Sequence, residues 1–222
     1  MNLVLVRHGQ SIYNLENKFT GWKDVDLTDK GRNEAVKAGD ILKDKDFLFD
    51  AAYTSDLKRA QETLSIILDR LNSTLKPIKN QALNERDYGD LIGRNKADAS
   101  REFGEDQVQI WRRSYDVPPP GGESLKMTCS RTLPYFEKIL NSVLEGKNII
   151  IAAHGNSIRA IVKRLFNYSP ELILKTEIGW CEPWIFKFNK DGTIRDFEIL
   201  KIGSISNSNI PDMPKLKLEI KK

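Results

Sequence analysis

Four consecutive apolar residues, Leu3-Val4-Leu5-Val6, stop abruptly at Arg7-His8, a short run of strand type. Thr28 can cap a helix that carries Ala35, Ala38, Ile41 and Leu42 on one face. Residues 49–54 read as a second strand. It leads into a helical stripe of Ala60, Thr63, Leu64, Ile67, Leu68 and Leu71. A helix beginning near Ser124 shows Phe136, Ile139, Leu140, Val143 and Leu144, and Pro134 inside it predicts a kink or an early end. Residues 148–153 hold Ile149, Ile150 and Ile151 in succession, as in a strand buried on both faces. The next helix has Ile158, Ile161, Val162, Leu165 and Phe166 on one side. Residues 184–189 and 193–200 flank Lys190-Asp191-Gly192 as a hairpin would. Two polar stretches, 12–26 and 83–111, fit no regular pattern and read as functional loops. Strands alternating with helices predict an α/β three-layer sandwich, a mostly parallel sheet with helices on both faces. The single domain spans 1–202, and the Ser/Asn/Pro/Lys-rich residues 203–222 read as a mobile tail.

Composition narrows the function classes. The 222 residues suffice for one sizeable core, and 40% hydrophobic with 30% charged residues is too apolar for a disordered chain. No apolar run approaches the roughly 18 residues of a membrane span. The N-terminal stretch lacks a basic leader and a cleavage site, so a secretory signal is not expected. Cys129 and Cys181 form no CxxC spacing and read as reduced thiols of a cytoplasmic protein. A net charge of +4 and a pI near 8.9 suit a small anionic substrate. Lys215, Lys217, Lys221 and Lys222 read as a solvated tail, with no aromatic interleaving to suggest a nucleic-acid or membrane surface.

The chain has only two histidines, each in the same local frame of apolar strand, His-Gly, polar residue and helix. Leu3-Val4-Leu5-Val6 precedes Arg7-His8-Gly9-Gln10-Ser11, and residues 149–153 precede His154-Gly155-Asn156-Ser157. In parallel sheets ligands bind at the carboxyl ends of strands, so two such turns side by side would face both imidazoles into one pocket. Backbone N–H groups at the following helix start favour an anion. A neutral imidazole is a good nucleophile near neutral pH, and attack on phosphorus splits one hard transfer into two easier ones. Positive charge on the phosphoryl oxygens would come from Arg7, Arg59 and a protonated His154.

These residues carry a dense resemblance to the cofactor-dependent phosphoglycerate mutases of the histidine phosphatase superfamily. It extends over Leu5-Val6-Arg7-His8-Gly9-Gln10-Ser11, Asn14, Phe19-Thr20-Gly21-Trp22, Tyr53-Thr54-Ser55, Leu57-Lys58-Arg59-Ala60, Leu83-Asn84-Glu85-Arg86, Tyr88-Gly89, Asn95-Lys96, Trp111-Arg112-Arg113 and the block around His154. The resemblance implies that His8 is phosphorylated, that His154 stabilises the transferring group, and that Glu85 exchanges the substrate hydroxyl proton. It implies a substrate-binding set of Arg7, Ser11, Asn14, Thr20, Gly21, Arg59, Glu85, Tyr88, Lys96, Arg112, Arg113, Gly155 and Asn156. It further implies interconversion of 3-phosphoglycerate and 2-phosphoglycerate, primed by 2,3-bisphosphoglycerate, with no metal, in a homodimer or homotetramer.

The chain departs from that family at three places. Only residues 114–122, with Pro118-Pro119-Pro120-Gly121-Gly122, bridge the Trp-Arg-Arg block and the helix near Ser124, where relatives carry a longer insertion. Asp87 replaces a histidine, and Gly179-Trp180-Cys181 stands where Pro-Thr-Gly is usual. A phosphatase, a bisphosphoglycerate synthase and a regulatory protein without turnover stay open as alternatives. Trp111-Arg112-Arg113 and Lys96 offer a site for a second anionic group, which favours the mutase over the phosphatase, and an intact His8, Glu85 and His154 argue against the regulatory protein.

Overall fold

The computed structural model describes residues 1–211. The lysines at 215, 217, 221 and 222 lie outside the described residues. The first strand, β1 (Asn2–Arg7), is followed by one helical turn, α1 (Ile12–Leu15), and by α2 (Asp29–Asp44), capped by the Thr28 hydroxyl as expected. Then come β2 (Ala51–Thr54), α3 (Lys58–Arg70) and the short edge strand β3 (Ile78–Lys79). Two further helices follow, α4 (Lys96–Phe103) and α5 (Glu105–Arg113), and then the long α6 (Leu125–Leu144). The chain continues through β4 (Ile149–Ala153), α7 (Gly155–Phe166), α8 (Pro170–Lys175), β5 (Trp184–Phe188) and β6 (Ile194–Ile199).

The six strands form one sheet in the order β3-β2-β4-β1-β5-β6. Pairs β3–β2, β2–β4 and β4–β1 are parallel, whereas β1–β5 and β5–β6 are antiparallel. Alternation along β1 divides the core. Leu3 and Leu5 pack with the apolar faces of α6 and α7, while Val4 and Val6 pack with Ala35, Ala38 and Leu42 of α2 and with Leu64 and Ile67 of α3. Helices therefore cover both faces, and β4 is buried at every position, as its isoleucine run requires.

The stretch 83–111 is more regular than its sequence suggests. It holds α4 and α5, separated by Gly104 at φ +87°, a left-handed turn that glycine adopts without strain. A small separate cluster of Phe19, Leu91, Ala99 and Val108 fastens them, too few apolar positions to register as a periodic stripe. Helix α6 runs unbroken through Pro134. The proline and Ser130, whose carbonyl loses its helical partner, both sit on the exposed side where water can substitute.

Residues 206–209, within the stretch read as a tail, are bonded to the domain. Glu182, fully buried, accepts hydrogen bonds from the Ser206 hydroxyl (2.8 Å) and from the backbone N–H groups of Asn207 (2.7 Å) and Ser208 (2.9 Å). Asn209 pairs with Glu177 through two backbone bonds of 2.9 Å. Both cysteines are free and buried.

Candidate active site

The parallel strands β1, β4 and β2 end at one edge of the sheet, and each delivers a polar residue one step beyond its end. His8 follows Arg7, His154 follows Ala153, and Ser55 follows Thr54. The backbone N–H of His8 donates to the Ala153 carbonyl at 3.0 Å, which locks the two histidine turns together. The imidazole centroids are 5.0 Å apart with planes tilted by 59°.

The Nδ1 atom of His8 lies 2.7 Å from the carbonyl oxygen of Gly9. A carbonyl only accepts, so Nδ1 carries the proton and Nε2 keeps its lone pair. Gly9 has no room for a side chain, since a Cβ there would run into the Gly31 carbonyl at the start of α2. Burial holds the His8 pKa well below the usual imidazole range, and the charges of Arg59 and Arg7 push it the same way. The ring is therefore neutral and nucleophilic near pH 7.

His154 is buried without solvent contact and pairs with Ser55, Nε2 to Oγ at 2.7 Å. Its pKa is likewise far below the usual value, first by burial and then by Arg59, His8 and Arg7. Burial and these neighbours favour the neutral ring over the protonated His154 expected from the sequence.

Two arginines flank the pair. Arg59, on the first turn of α3, is fully buried and donates to the carbonyls of Gly21 (2.8 Å) and Lys23 (3.0 Å). Its Nε points at the His8 Nε2 at 3.4 Å, and burial lowers its pKa to about 10. Arg7 donates to the Ile178 carbonyl at 2.8 Å and lies over the Trp180 ring at 5.4 Å. The segment Gly179-Trp180-Cys181 therefore holds Arg7 in place, and the Cys181 N–H adds a bond to the Arg7 carbonyl at 2.9 Å. The Arg7 Nε is buried without a hydrogen-bond partner among the described residues.

These groups open onto a cavity of about 160 Å³. It brings together Arg7, His8, Asn14, Thr20, Gly21, Arg59, Glu85, Tyr88, Lys96, Arg112, Arg113, Gly155 and Asn156. Two of the expected residues are not on its wall. His154 is engaged with Ser55, and the Ser11 hydroxyl caps α1 and donates to the Asn14 side-chain Oδ1 at 2.9 Å. Four wall residues escaped the sequence reading: Lys18, Phe19, Arg159 and Glu177. Arg159 lies four residues after Gly155 on α7 and so shares its face, a signal that helical spacing could have provided. Glu177 follows no motif. Its carboxylate pairs with Arg113 and Arg159, both at 2.7 Å.

Glu85 enters the cavity from the loop after a short 3-10 turn (Gln81–Leu83). Its Oε1 accepts from the N–H groups of Arg86 (2.7 Å) and Asn156 (3.1 Å), and its Oε2 accepts from no described residue. Lys96, at the start of α4, has a lowered pKa from burial, with Arg112 and the other arginines adding to the effect against Tyr88. Among the described residues no group of three or more His, Cys, Asp or Glu is placed to hold a metal ion.

Two histidines in contact at one sheet edge, with Arg59 buried and Arg7 half-buried beside them, form an arrangement suited to phosphoryl transfer. The chain belongs to the histidine phosphatase superfamily (branch 1), whose profile matches residues 3–198. Within it, the chain is 60% identical over 194 residues to the 2,3-bisphosphoglycerate-dependent phosphoglycerate mutase of Bradyrhizobium diazoefficiens, covering 86% of this chain and 94% of the relative. It is 55% identical over 203 residues to the enzyme of that name from Beijerinckia indica, covering 90% and 98%. Among solved structures, the α-ribazole phosphatase from Shigella flexneri superposes with a TM-score of 0.74 at 26% identity, covering 86% and 92%. A mycobacterial glucosyl-3-phosphoglycerate phosphatase reaches 0.77 at 24%, covering 94% and 99%, a likeness of fold.

Proposed function

We propose that this chain interconverts 3-phosphoglycerate and 2-phosphoglycerate, a step of glycolysis and gluconeogenesis, with 2,3-bisphosphoglycerate as primer and intermediate. One observation carries this reading: the cavity holding His8 is lined by Arg7, Lys18, Arg59, Lys96, Arg112, Arg113 and Arg159 against only Glu85 and Glu177. A phosphate monoester carries about −1.5 to −2 charge near neutral pH. So large an excess of cations matches a ligand with a second anionic group, the carboxylate or second phosphate of a phosphoglycerate. The mutases at 55–60% identity support the same choice over the phosphatases at 24–26%.

The steps balance with groups of this chain and the substrate. Phosphorylated His8 faces the hydroxyl of 3-phosphoglycerate; the oxygen attacks phosphorus, the N–P bond breaks, and Glu85 takes the hydroxyl proton. The resulting 2,3-bisphosphoglycerate reorients in the cavity. His8 Nε2 then attacks the other phosphorus, the ester P–O bond breaks, and Glu85 returns its proton to the departing alkoxide. Arg7 and Arg59 offer N–H groups to the phosphoryl oxygens. The negative charge of a phosphoryl group on His8 favours protonation of the neighbouring His154 ring.

The test is conversion of 3-phosphoglycerate with and without catalytic 2,3-bisphosphoglycerate. Primer-dependent formation of 2-phosphoglycerate is the expected result. Release of inorganic phosphate without isomerisation would make the chain a phosphatase instead.

A further inference from the structure

The loop that carries Glu85 is held from outside the cavity by side chains of Arg131, Trp22 and Thr132. Arg131, on α6, donates through Nη1 to the carbonyls of Gln81 and Ala82, both at 3.0 Å, and of Asn84 at 3.4 Å. Through Nη2 it reaches the Asn84 carbonyl at 3.3 Å and that of Glu85 itself at 3.2 Å. Glu123 orients this guanidinium from the opposite side, at 2.9 Å to both Nε and Nη2. The Arg131 guanidinium lies 5.3 Å from the Trp22 ring centre, and the Trp22 indole N–H donates to the same Glu85 carbonyl at 2.6 Å.

Such an arrangement does more than fill space. Gln81, Ala82, Asn84 and Glu85 turn their carbonyls to one point, as the end of a helix does, and a planar fork with several donors is the only side chain that can satisfy them together. With its carbonyl pinned by two donors and its Oε1 pinned by two N–H groups, Glu85 has few ways to move except through Oε2. Proton transfer is steep in donor–acceptor geometry, so a loop free to drift would cost rate while leaving the anion-binding wall intact.

We propose that Arg131, with Trp22, is a positioning residue for proton transfer by Glu85. It acts from behind the loop, through the Glu85 carbonyl, and is not itself on the wall of the cavity. The proposal rests on the reading of Glu85 as the acid that protonates the departing alkoxide.

A double-mutant cycle tests both and separates them. The rate of His8 phosphorylation by 2,3-bisphosphoglycerate is measured in a single turnover for wild type, Arg131→Lys, Glu85→Gln and the double variant. Lysine keeps the charge but not the fork. Arg131→Lys is expected to slow phosphorylation about tenfold or more, with the dissociation constant of the donor within about twofold of wild type. In the Glu85→Gln background it should slow the reaction no further. Trp22→Phe, which keeps the ring and removes only the indole donor, should follow the same non-additive pattern more mildly, and it carries the test if Arg131→Lys does not fold. Additive losses, a matching loss of donor affinity, or wild-type rates in Arg131→Lys and Trp22→Phe would overturn the proposal. A wild-type rate in Glu85→Gln would instead overturn the role of Glu85.

Discussion

At His8 a neighbouring carbonyl selects the attacking nitrogen: Gly9 claims the Nδ1 proton and leaves Nε2 free beside Arg59. Both histidines are buried, and both hold pKa values well below the 6.5 of a free imidazole. The unfolded chain therefore binds protons that the folded chain refuses once the pH drops below that value. Stability should be flat above it and should fall as the pH is lowered beneath it, by up to about 1.4 kcal/mol per pH unit for each histidine. Urea unfolding between pH 7.5 and about 5.5 checks this, and His8→Asn and His154→Asn should each flatten the slope. The two histidines were legible in the sequence because the chain contains no others and each follows an apolar run. Ser55, Arg131 and Glu177 were not legible as site residues, because their bonds to a distant ring, to loop carbonyls and to two arginines leave no spacing to read.

The helices and strands with long apolar stripes were legible to within a few residues, since each buries its stripe against the sheet. The short elements were not. Helices α4 and α5 owe their order to the Phe19 cluster and to the Gly104 turn, contacts distant in sequence that local pattern cannot reveal. Gly31 at the start of α2 lies so close to Gln10 that a Cβ would meet its carbonyl, and Gly9 has the same conflict with Gly31. Gly31→Ala should therefore push the His8 turn away from α2, costing about 1–3 kcal/mol in thermal unfolding and lowering kcat as well. An unchanged kcat would show that the turn is not braced there. The short segment from Ser114 to Gly122 is fixed to the neighbouring turn, with the backbone N–H of Asp90 donating to the Pro120 carbonyl at 2.9 Å. So short a cover should hold the bisphosphorylated intermediate loosely and let water compete for phosphorylated His8. Phosphate release from 2,3-bisphosphoglycerate should then be a measurable side reaction, and release far below mutase turnover would contradict this.

Over the whole molecule, the net charge of +4 is modest, yet seven arginine and lysine side chains line one cavity with only two acids among them. That concentration should draw anionic substrate in and should weaken as salt screens it. The KM for 3-phosphoglycerate should rise several-fold between about 10 and 150 mM salt, with kcat changing much less. No described helix is long and apolar enough to cross a membrane. Phosphoryl groups are expected to pass through His8 from one phosphoglycerate to another. The most direct measurement loads the protein with 2,3-bisphosphoglycerate labelled in its phosphates, isolates the labelled protein, and chases it with unlabelled 3-phosphoglycerate. An acid-labile label on His8, absent in His8→Ala, that moves into the phosphoglycerates is the predicted result. Label that leaves only as inorganic phosphate, or that still loads in His8→Ala, would contradict the account.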